Sequence, residues 1–504
     1  MLKYLTLRNI RRIYSVFFFF LFIFLVSITD FRNMRGYEVS LFLELDPLIS
    51  ITGFLTSWTV YKGMALSLFI IIGTLFFGRF FCSWICPMGI LNQWTSHFFN
   101  KRRLSEDFKV NAYRSSYRLK YYILAVLLVL ALFGSLQTGI FDPIAIITRS
   151  AAIALYPALN YWNGGLYLNK PVFHGGIFIA FLFLAIIFAN RFLTRFWCRA
   201  ICPLGALLGL LSGFSLLKIR RDVKKCTDCQ KCLQFCQGGC DPHSNLRGSE
   251  CHVCMNCIEQ CPENALHYGL SKGASSIHTP IDFNRRRLIE SAVAGVFLFP
   301  MMRSVVTSQT VPQHSVIRPP GSIPEEDFLR RCIKCGQCIR VCPTNVLQPA
   351  ILEAGLEGMW TPILINKIGY CEHNCVLCSQ VCPTGAIKPI SIEKKIGKPP
   401  FEKPIKIGTA FYDRGRCLPW AMNIECIVCE EVCPTSPKAI WFQTVEVKDR
   451  NGKKKLLKQP YLDTDLCIGC GICENKCPVR DQPAIRVTSI GETRSRANQM
   501  ILGG

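Results

Sequence analysis

Cys251-His252-Val253-Cys254-Met255-Asn256-Cys257-Ile258-Glu259-Gln260-Cys261-Pro262 is the stretch that decides the reading of this chain. Three cysteines two residues apart, a fourth after three more, then proline: this is the spacing that wraps a backbone around a cubane iron–sulfur cluster. In such a run the fourth cysteine ligates a partner cluster. The partner stands just upstream, at Cys226, Cys229, Cys232 and Cys236. Four further runs follow: Cys332, Cys335, Cys338, Cys342; Cys371, Cys375, Cys378, Cys382; Cys417, Cys426, Cys429, Cys433; and Cys467, Cys470, Cys473, Cys477. Six [4Fe-4S] clusters are expected. Zinc sites separate two C-x2-C pairs by a finger, and disulfide frameworks belong to short secreted domains, so neither fits this pattern. Gly336 and Gly469–Gly471 fall between ligands, where the chain must turn tightly.

Cys240 stands outside the runs. It is a rival for the role of Cys236, which is followed by Gln237 and not by proline. Four more cysteines belong to a repeat. Arg79-Phe80-Phe81-Cys82-Ser83-Trp84-Ile85-Cys86-Pro87-Met88-Gly89 returns as Arg195-Phe196-Trp197-Cys198-Arg199-Ala200-Ile201-Cys202-Pro203-Leu204-Gly205. Each copy closes an apolar hairpin that also carries an Asp-Pro, Asp46-Pro47 or Asp142-Pro143. A duplicated two-helix unit explains these matches. Two facing copies would present Cys82, Cys86, Cys198 and Cys202 to one site, with a seventh metal centre or bare thiols as the alternatives. Asp before Pro commonly starts a turn at a helix end. At a bilayer edge, Asp46 and Asp142 are also candidates for taking protons from a quinol.

The chain has 504 residues, half of them apolar, with a formal net charge of +24. Apolar runs near Ile13–Thr29, Met64–Phe81, Leu119–Leu136 and Phe173–Ala189 approach the ~20 residues that cross a bilayer. A fifth lies near Leu288–Val306, behind Asn284-Arg285-Arg286-Arg287, which has the look of a twin-arginine signal. The fold class expected is an α-helical membrane bundle of four spans plus a fifth anchoring span, with α+β bacterial-type ferredoxin domains. The divisions are 1–215 for the four-helix membrane domain, 216–275 for a two-cluster ferredoxin, 282–310 for the fifth span and 311–504 for a four-cluster domain. Lys and Arg crowd the N-terminus, the loop after the second span and the segment after the fourth. The positive-inside rule then places 216–275 in the cytoplasm and 311–504 in the periplasm of a bacterial inner-membrane protein. Each oxidised cluster with its four thiolates carries about −2, so six would offset about half the basic excess. Nucleic-acid binding is not the reading of that charge. No C-x-x-C-H haem motif and no Rossmann glycine fingerprint are present, and His174 reads as a loop residue.

Taken together, residues 1–275 resemble the NapH-type membrane ferredoxins, and residues 282–490 resemble the NapG-type periplasmic four-cluster ferredoxins, joined here in one polypeptide. The resemblance implies passage of electrons from quinol to a periplasmic cytochrome or a reductase such as nitrate reductase. The stretched run from Cys417 to Cys426 and the missing proline after Cys236 depart from the pattern. Two other functions keep the same modules: metal assembly or redox sensing through the C-x3-C-P thiols, and an outward conduit fed by a cytoplasmic ferredoxin.

Overall fold

In the computed structural model the described residues are all except 1–5, 33, 35–37, 62, 107–110, 163–171, 244–245, 271–283, 308–315, 402, 449–453, 496–497 and 499–504. The linker expected between the second and third divisions thus lies outside them.

The first 215 residues form a helical bundle. Its elements are α1 (Leu7–Ile28), α2 (Pro47–Ser57), α3 (Gly63–Phe77), α4 (Pro87–Glu106), α5 (Leu119–Leu132), α6 (Pro143–Ser150), α7 (Gly176–Phe188) and α8 (Pro203–Ser212). Leu7–Ile28 and Ser115–Leu132 are, among the described residues, the helices long and apolar enough to cross a membrane. The second and fourth expected spans are realised as shorter apolar helices. Sequence hydropathy counts the apolar residues of the turns as well, which explains the difference. The fifth expected span is a helix, α9 (Arg285–Thr307), with Pro300 inside it. It runs along α5: a Cβ on Gly295 would stand 3.0 Å from Val129, and the rings of Phe299 and Phe133 are 5.4 Å apart.

The repeat is visible in three dimensions. Asp46 and Asp142 each cap a helix inside the bundle, α2 and α6, with proline in the first turn. Proline there gives up only an N–H that no carbonyl needs. Arg79 of the first copy donates to the Cys198 carbonyl at 3.2 Å, and Arg195 of the second donates to the Gly89 carbonyl at 2.8 Å. A Cβ at Gly205 would lie 2.2 Å from Arg79 Nη2, so only glycine lets that arginine cross.

Each ferredoxin module is closed by an antiparallel pairing of its two ends. Strand β1 (Leu217–Arg221) pairs with β2 (Leu266–Leu270) around the first two runs. An isolated bridge, Ser322 to Ile387, closes the next two, which also contain the pair β3 (Leu347–Pro349) and β4 (Pro362–Leu364). Strand β5 (Thr409–Tyr412) pairs with β8 (Ile485–Thr488) around the last two, with the hairpin β6 (Ile440–Lys448) and β7 (Lys454–Leu462) inserted.

The modules dock on opposite ends of the bundle, as α5 makes plain. Lys120 at its start pairs with Glu250 of the first module. Gly134, just past its end, lies against Arg330 of the second. At the second end Thr56 Oγ1 donates to the Arg330 carbonyl (2.7 Å), Arg340 Nε to the Thr29 carbonyl (2.7 Å) and Gln337 Nε2 to the Val39 carbonyl (3.1 Å). The cores merge there, since Ile333 and Cys335 pack among the bundle's own apolar residues.

Candidate iron–sulfur sites and the bundle centre

Every run folds the same way. The third cysteine rides on a helix of four or five residues: Lys231–Gln234, Asn256–Glu259, Gln337–Arg340, Leu377–Gln380, Val428–Glu431 and Ile472–Lys476. In four runs the residues just before and just after the second cysteine have positive φ: Asp228 and Gln230 flank Cys229, Val253 and Met255 flank Cys254, Lys334 and Gly336 flank Cys335, and Gly469 and Gly471 flank Cys470. Thus the residue on each side of the second cysteine is left-handed. For the non-glycine residues this backbone is unfavourable in isolation. It curls the chain around a central volume. Enclosed cavities lie there, lined by Cys226, Cys229, Cys232 and Cys261; by Cys332, Cys335, Cys338 and Cys382; and by Cys433, Cys467, Cys470 and Cys473. Each holds three cysteines of one run and the last of its neighbour. The other half of each exchange is present as well. Cys371, Cys375 and Cys378 lie in electrostatic range of Cys342, Cys417 of Cys477, and Cys257 of Cys236. Runs therefore pair in sequence order, one with two, three with four, five with six. For the last four runs, their order alone leaves sequential and nested pairing both open. A hollow walled by four sulfurs fits a cubane, and among the described residues no three His, Cys, Asp or Glu converge tightly enough for a single ion.

Cys236 and Cys240, the two rivals for one ligand role, lie side by side. Their sulfurs are 3.3 Å apart, and the Cys240 N–H donates to Cys236 Sγ at 3.3 Å. The bond from Cys240, with help from Arg199 against the cost of burial, lowers the Cys236 thiol to about 6, while Cys240 is pushed up. Cys240 also lies within hydrogen-bond reach of Cys251, so both thiols stand beside the second cage. The turn between them uses Gly238, where a Cβ would meet the Glu250 carbonyl at 2.0 Å.

Polar side chains reach the sulfurs. Buried Lys395 donates from Nζ to Cys371 Sγ at 3.2 Å and to the carbonyls of Glu372 and Cys375. A cation there stabilises the more negative, reduced form of whatever the thiolate binds. Lys395→Met is expected to lower the potential of that centre by about 40 mV, the equivalent of about 1 kcal/mol for one electron. A redox titration followed by EPR reads this, and an unchanged or raised potential removes the role.

At the bundle centre Cys82, Cys86, Cys198 and Cys202 are each at most 6 % exposed. Cys82 and Cys198 lie in electrostatic range of both Cys86 and Cys202. The Gly205 N–H donates to Cys202 Sγ at 3.2 Å, and Arg79 Nε to Cys82 Sγ at 3.2 Å. Cys198 sits on a single π-helical turn, Trp197–Ile201, a form frequent at functional sites. Arg79 and Arg195, both fully buried, place two positive charges beside four thiols. That balances the −2 of a cubane held by four thiolates. The repeat predicted this assembly; the reciprocal arginines have no signature beyond their place in it.

Asp46 and Asp142 are not at an exposed edge: both are fully buried. Asp46 Oδ1 accepts from the N–H groups of Leu48 (2.8 Å) and Ile49 (3.2 Å); Asp142 Oδ1 accepts from Ile144 (2.9 Å) and Ala145 (2.8 Å). Their Oδ2 atoms have no other partner, and the two carboxyls lie within reach of each other. Such a contact becomes a hydrogen bond only with one proton between them. His174 is exposed and only its backbone N–H is engaged, by Gln348.

The cysteine sets are linked end to end. Trp84, inside the first C-x3-C-P motif, donates to the Val253 carbonyl in the Cys251–Cys254 loop at 3.0 Å. Arg195 is in range of both Cys198 and Cys254, Asp142 of Cys86, and Arg149 of both Asp142 and Cys335. Arg149 donates to the Lys334 carbonyl at 3.1 Å. Farther out, the Cys371 N–H donates to the Cys470 carbonyl at 2.8 Å.

Paired cysteine cages in antiparallel-closed modules define a 4Fe-4S ferredoxin-type electron-transfer protein. The family model of a 4Fe-4S binding domain matches residues 59–104 and again 174–224, the two C-x3-C-P segments. That of a 4Fe-4S dicluster domain matches 331–386 and 423–480. The methylamine utilization ferredoxin-type protein MauM of Methylorubrum extorquens is 34% identical over 210 residues, 40% of this chain and 88% of MauM. The ferredoxin-type protein NapG of Escherichia coli is 35% identical over 172 residues, 34% of this chain and 69% of NapG. A putative electron transport protein of Escherichia coli, YccM, is 29% identical over 230 residues, 45% of this chain and 60% of YccM. The chain belongs to the NapG and MauM family of ferredoxin-type proteins. No solved structure matches it.

Proposed function

We propose that this chain is a multi-pass protein of the bacterial cytoplasmic membrane that takes electrons from quinol and delivers them, through six [4Fe-4S] clusters and a seventh centre on Cys82, Cys86, Cys198 and Cys202, to a periplasmic cytochrome or reductase. The observation that carries this reading is the line of cysteine sets from the first module, through the bundle centre, to the second module. The exposed flanks of the bundle support the membrane. Phe17, Phe20, Phe69, Phe76, Phe181 and Phe188 are all more than 45 % exposed, an apolar surface that water does not tolerate at this extent. Asp46 and Asp142 are too deep to meet a quinol ring directly, and their role is to hold a proton beside the electron path. Anaerobic addition of a reduced naphthoquinol to purified protein is expected to bleach the cluster absorbance of both modules. A chain that stays oxidised is no quinol dehydrogenase.

A second reading reverses the entry point. Cys229 is exposed, unlike the other cysteines, and Cys226 and Cys261 of its cage are half-buried. A soluble ferredoxin could hand electrons to it directly. Bleaching by reduced ferredoxin and not by quinol selects this outward conduit.

Opposite docking of the modules is in line with the topology expected from the charge pattern. Reporters fused after residue 270 and after residue 504 are expected to report cytoplasm and periplasm respectively. The same compartment for both contradicts a membrane-spanning bundle.

A further inference from the structure

Quinol needs a place to dock, and the buried Asp46–Asp142 pair does not offer one. A cavity of about 1040 Å³ opens at the opposite end of the bundle, between the start of α1, the middle of α4, the Thr194–Arg199 turn and the loop 234–237 of the first module. We propose that this cavity is the quinone site: it binds the head group of a lipid-soluble quinone or quinol and passes its electrons to the cage of Cys236, Cys251, Cys254 and Cys257. This rests on the quinol reading above and adds where the ring sits.

Three features point to that ligand. First, the wall is redox-active, since Cys236 itself lines the cavity. Second, the unmet polar atoms are of both kinds. On three residues that line the cavity, the buried atoms Gln237 Oε1, Asn256 Oδ1 and Arg195 Nε have no hydrogen-bond partner among the described residues. Amide oxygens accept from a quinol O–H, and a guanidinium donates to a quinone carbonyl. Arg8, Arg12 and Arg199 also line the cavity and would attract an anionic head group, so competition by an anionic lipid belongs in the test. Third, the exposed part of the lining is mainly apolar, with Arg12 and His97 among it. Trp94 is 40 % and Phe98 80 % exposed, and Phe19 packs on Trp94 with ring centroids 4.8 Å apart. That is a lipid-side entry for an isoprenoid tail.

Arg195 ties the cavity to the relay. It is buried with a φ of 53°, a conformation sustained only by surrounding bonds. Its N–H donates to Ser96 Oγ at 2.8 Å, Nη2 to the Gly89 carbonyl, and Nη1 to His252 Nδ1 at 2.9 Å. Arginine only donates, so His252 accepts this bond at Nδ1. Oxidation breaks the two O–H bonds of the quinol and leaves the quinone. Two electrons depart singly to the Cys236 cage and on to the outer acceptor. The two protons go to water on the side of the first module, with exposed His97 on the cavity wall as the first base.

The test is photolabelling of the full-length protein in lipid nanodiscs with an isoprenoid azido-naphthoquinone, with peptide mapping by mass spectrometry. Label is expected on the peptides carrying residues 93–98 or 234–237. Trp94→Ala/Phe98→Ala, which changes only exposed side chains, is expected to reduce labelling at least tenfold with iron content unchanged. Label on residues 47–57 or 143–150 instead overturns the cavity while the quinol reading stands. So does an absence of label in protein whose clusters quinol still bleaches. No label and no bleaching overturns both. Label displaced by cardiolipin but not by excess unlabelled quinone makes the cavity a lipid site and also overturns the proposal.

Discussion

Protein purified without oxygen is expected to hold about 28 iron atoms per chain, four for each of seven sets of four cysteines. Cys86→Ser/Cys202→Ser is expected to lower this to about 24 and to stop quinol from reducing the outer module. The reasoning is geometric. The two replaced sulfurs sit at the first turns of α4 and α8, one from each copy of the repeat, so the pair cannot be lost without opening the centre from both sides. Cys82→Ser/Cys198→Ser is expected to give the same iron loss. An unchanged iron content in both variants, with quinol reduction of the outer module intact, leaves the four thiols structural. Zinc in place of iron in the wild type would remove the relay altogether.

The second large effect concerns the seam between the bundle and the first module. Lys120 and Glu250 form a fully desolvated pair, and Tyr121 Oη donates to Glu250 Oε1 at 3.0 Å. Removing one partner of such a pair strands the other charge and costs about 3–5 kcal/mol. Glu250→Gln is therefore expected to loosen the docking of residues 216–270. Limited proteolysis should cut there first, and a denaturant melt should lose about that much stability. Lys120→Met/Glu250→Gln, which removes both charges, is expected to recover most of it. A Glu250→Gln variant that melts like the wild type would show that water reaches this seam. The seam also holds Trp84 against Val253, so loosening it is expected to slow electron passage between the first module and the bundle centre.

Much of this protein was written locally. Three cysteines of each run can reach one cubane because they are neighbours in sequence, and the positive-φ residues between them turn the chain without help from elsewhere. The duplicated Arg-Phe-x-Cys-x3-Cys-Pro-x-Gly segment likewise announced two equivalent units. Resemblance to the NapG-type ferredoxins followed from the order of the runs, and the curated relatives agree. Hydropathy overstated the spans, because apolar residues in turns score as highly as those in helices.

What the chain could not disclose by itself is whatever requires it to fold back. The fourth sulfur of each cage comes from another run, so the sequential pairing appeared only when Cys382 met Cys332 and Cys433 met Cys467 in one hollow. Asp46 and Asp142 read as edge residues, yet each became a buried helix cap with the other carboxyl within reach. The reciprocal crossing of Arg79 and Arg195 and the cavity beside Cys236 depend on segments more than a hundred residues apart in the chain. Spacing along a chain fixes local ligand geometry; which surfaces meet is settled by burying charge and apolar area together, and that balance exists only in the folded whole.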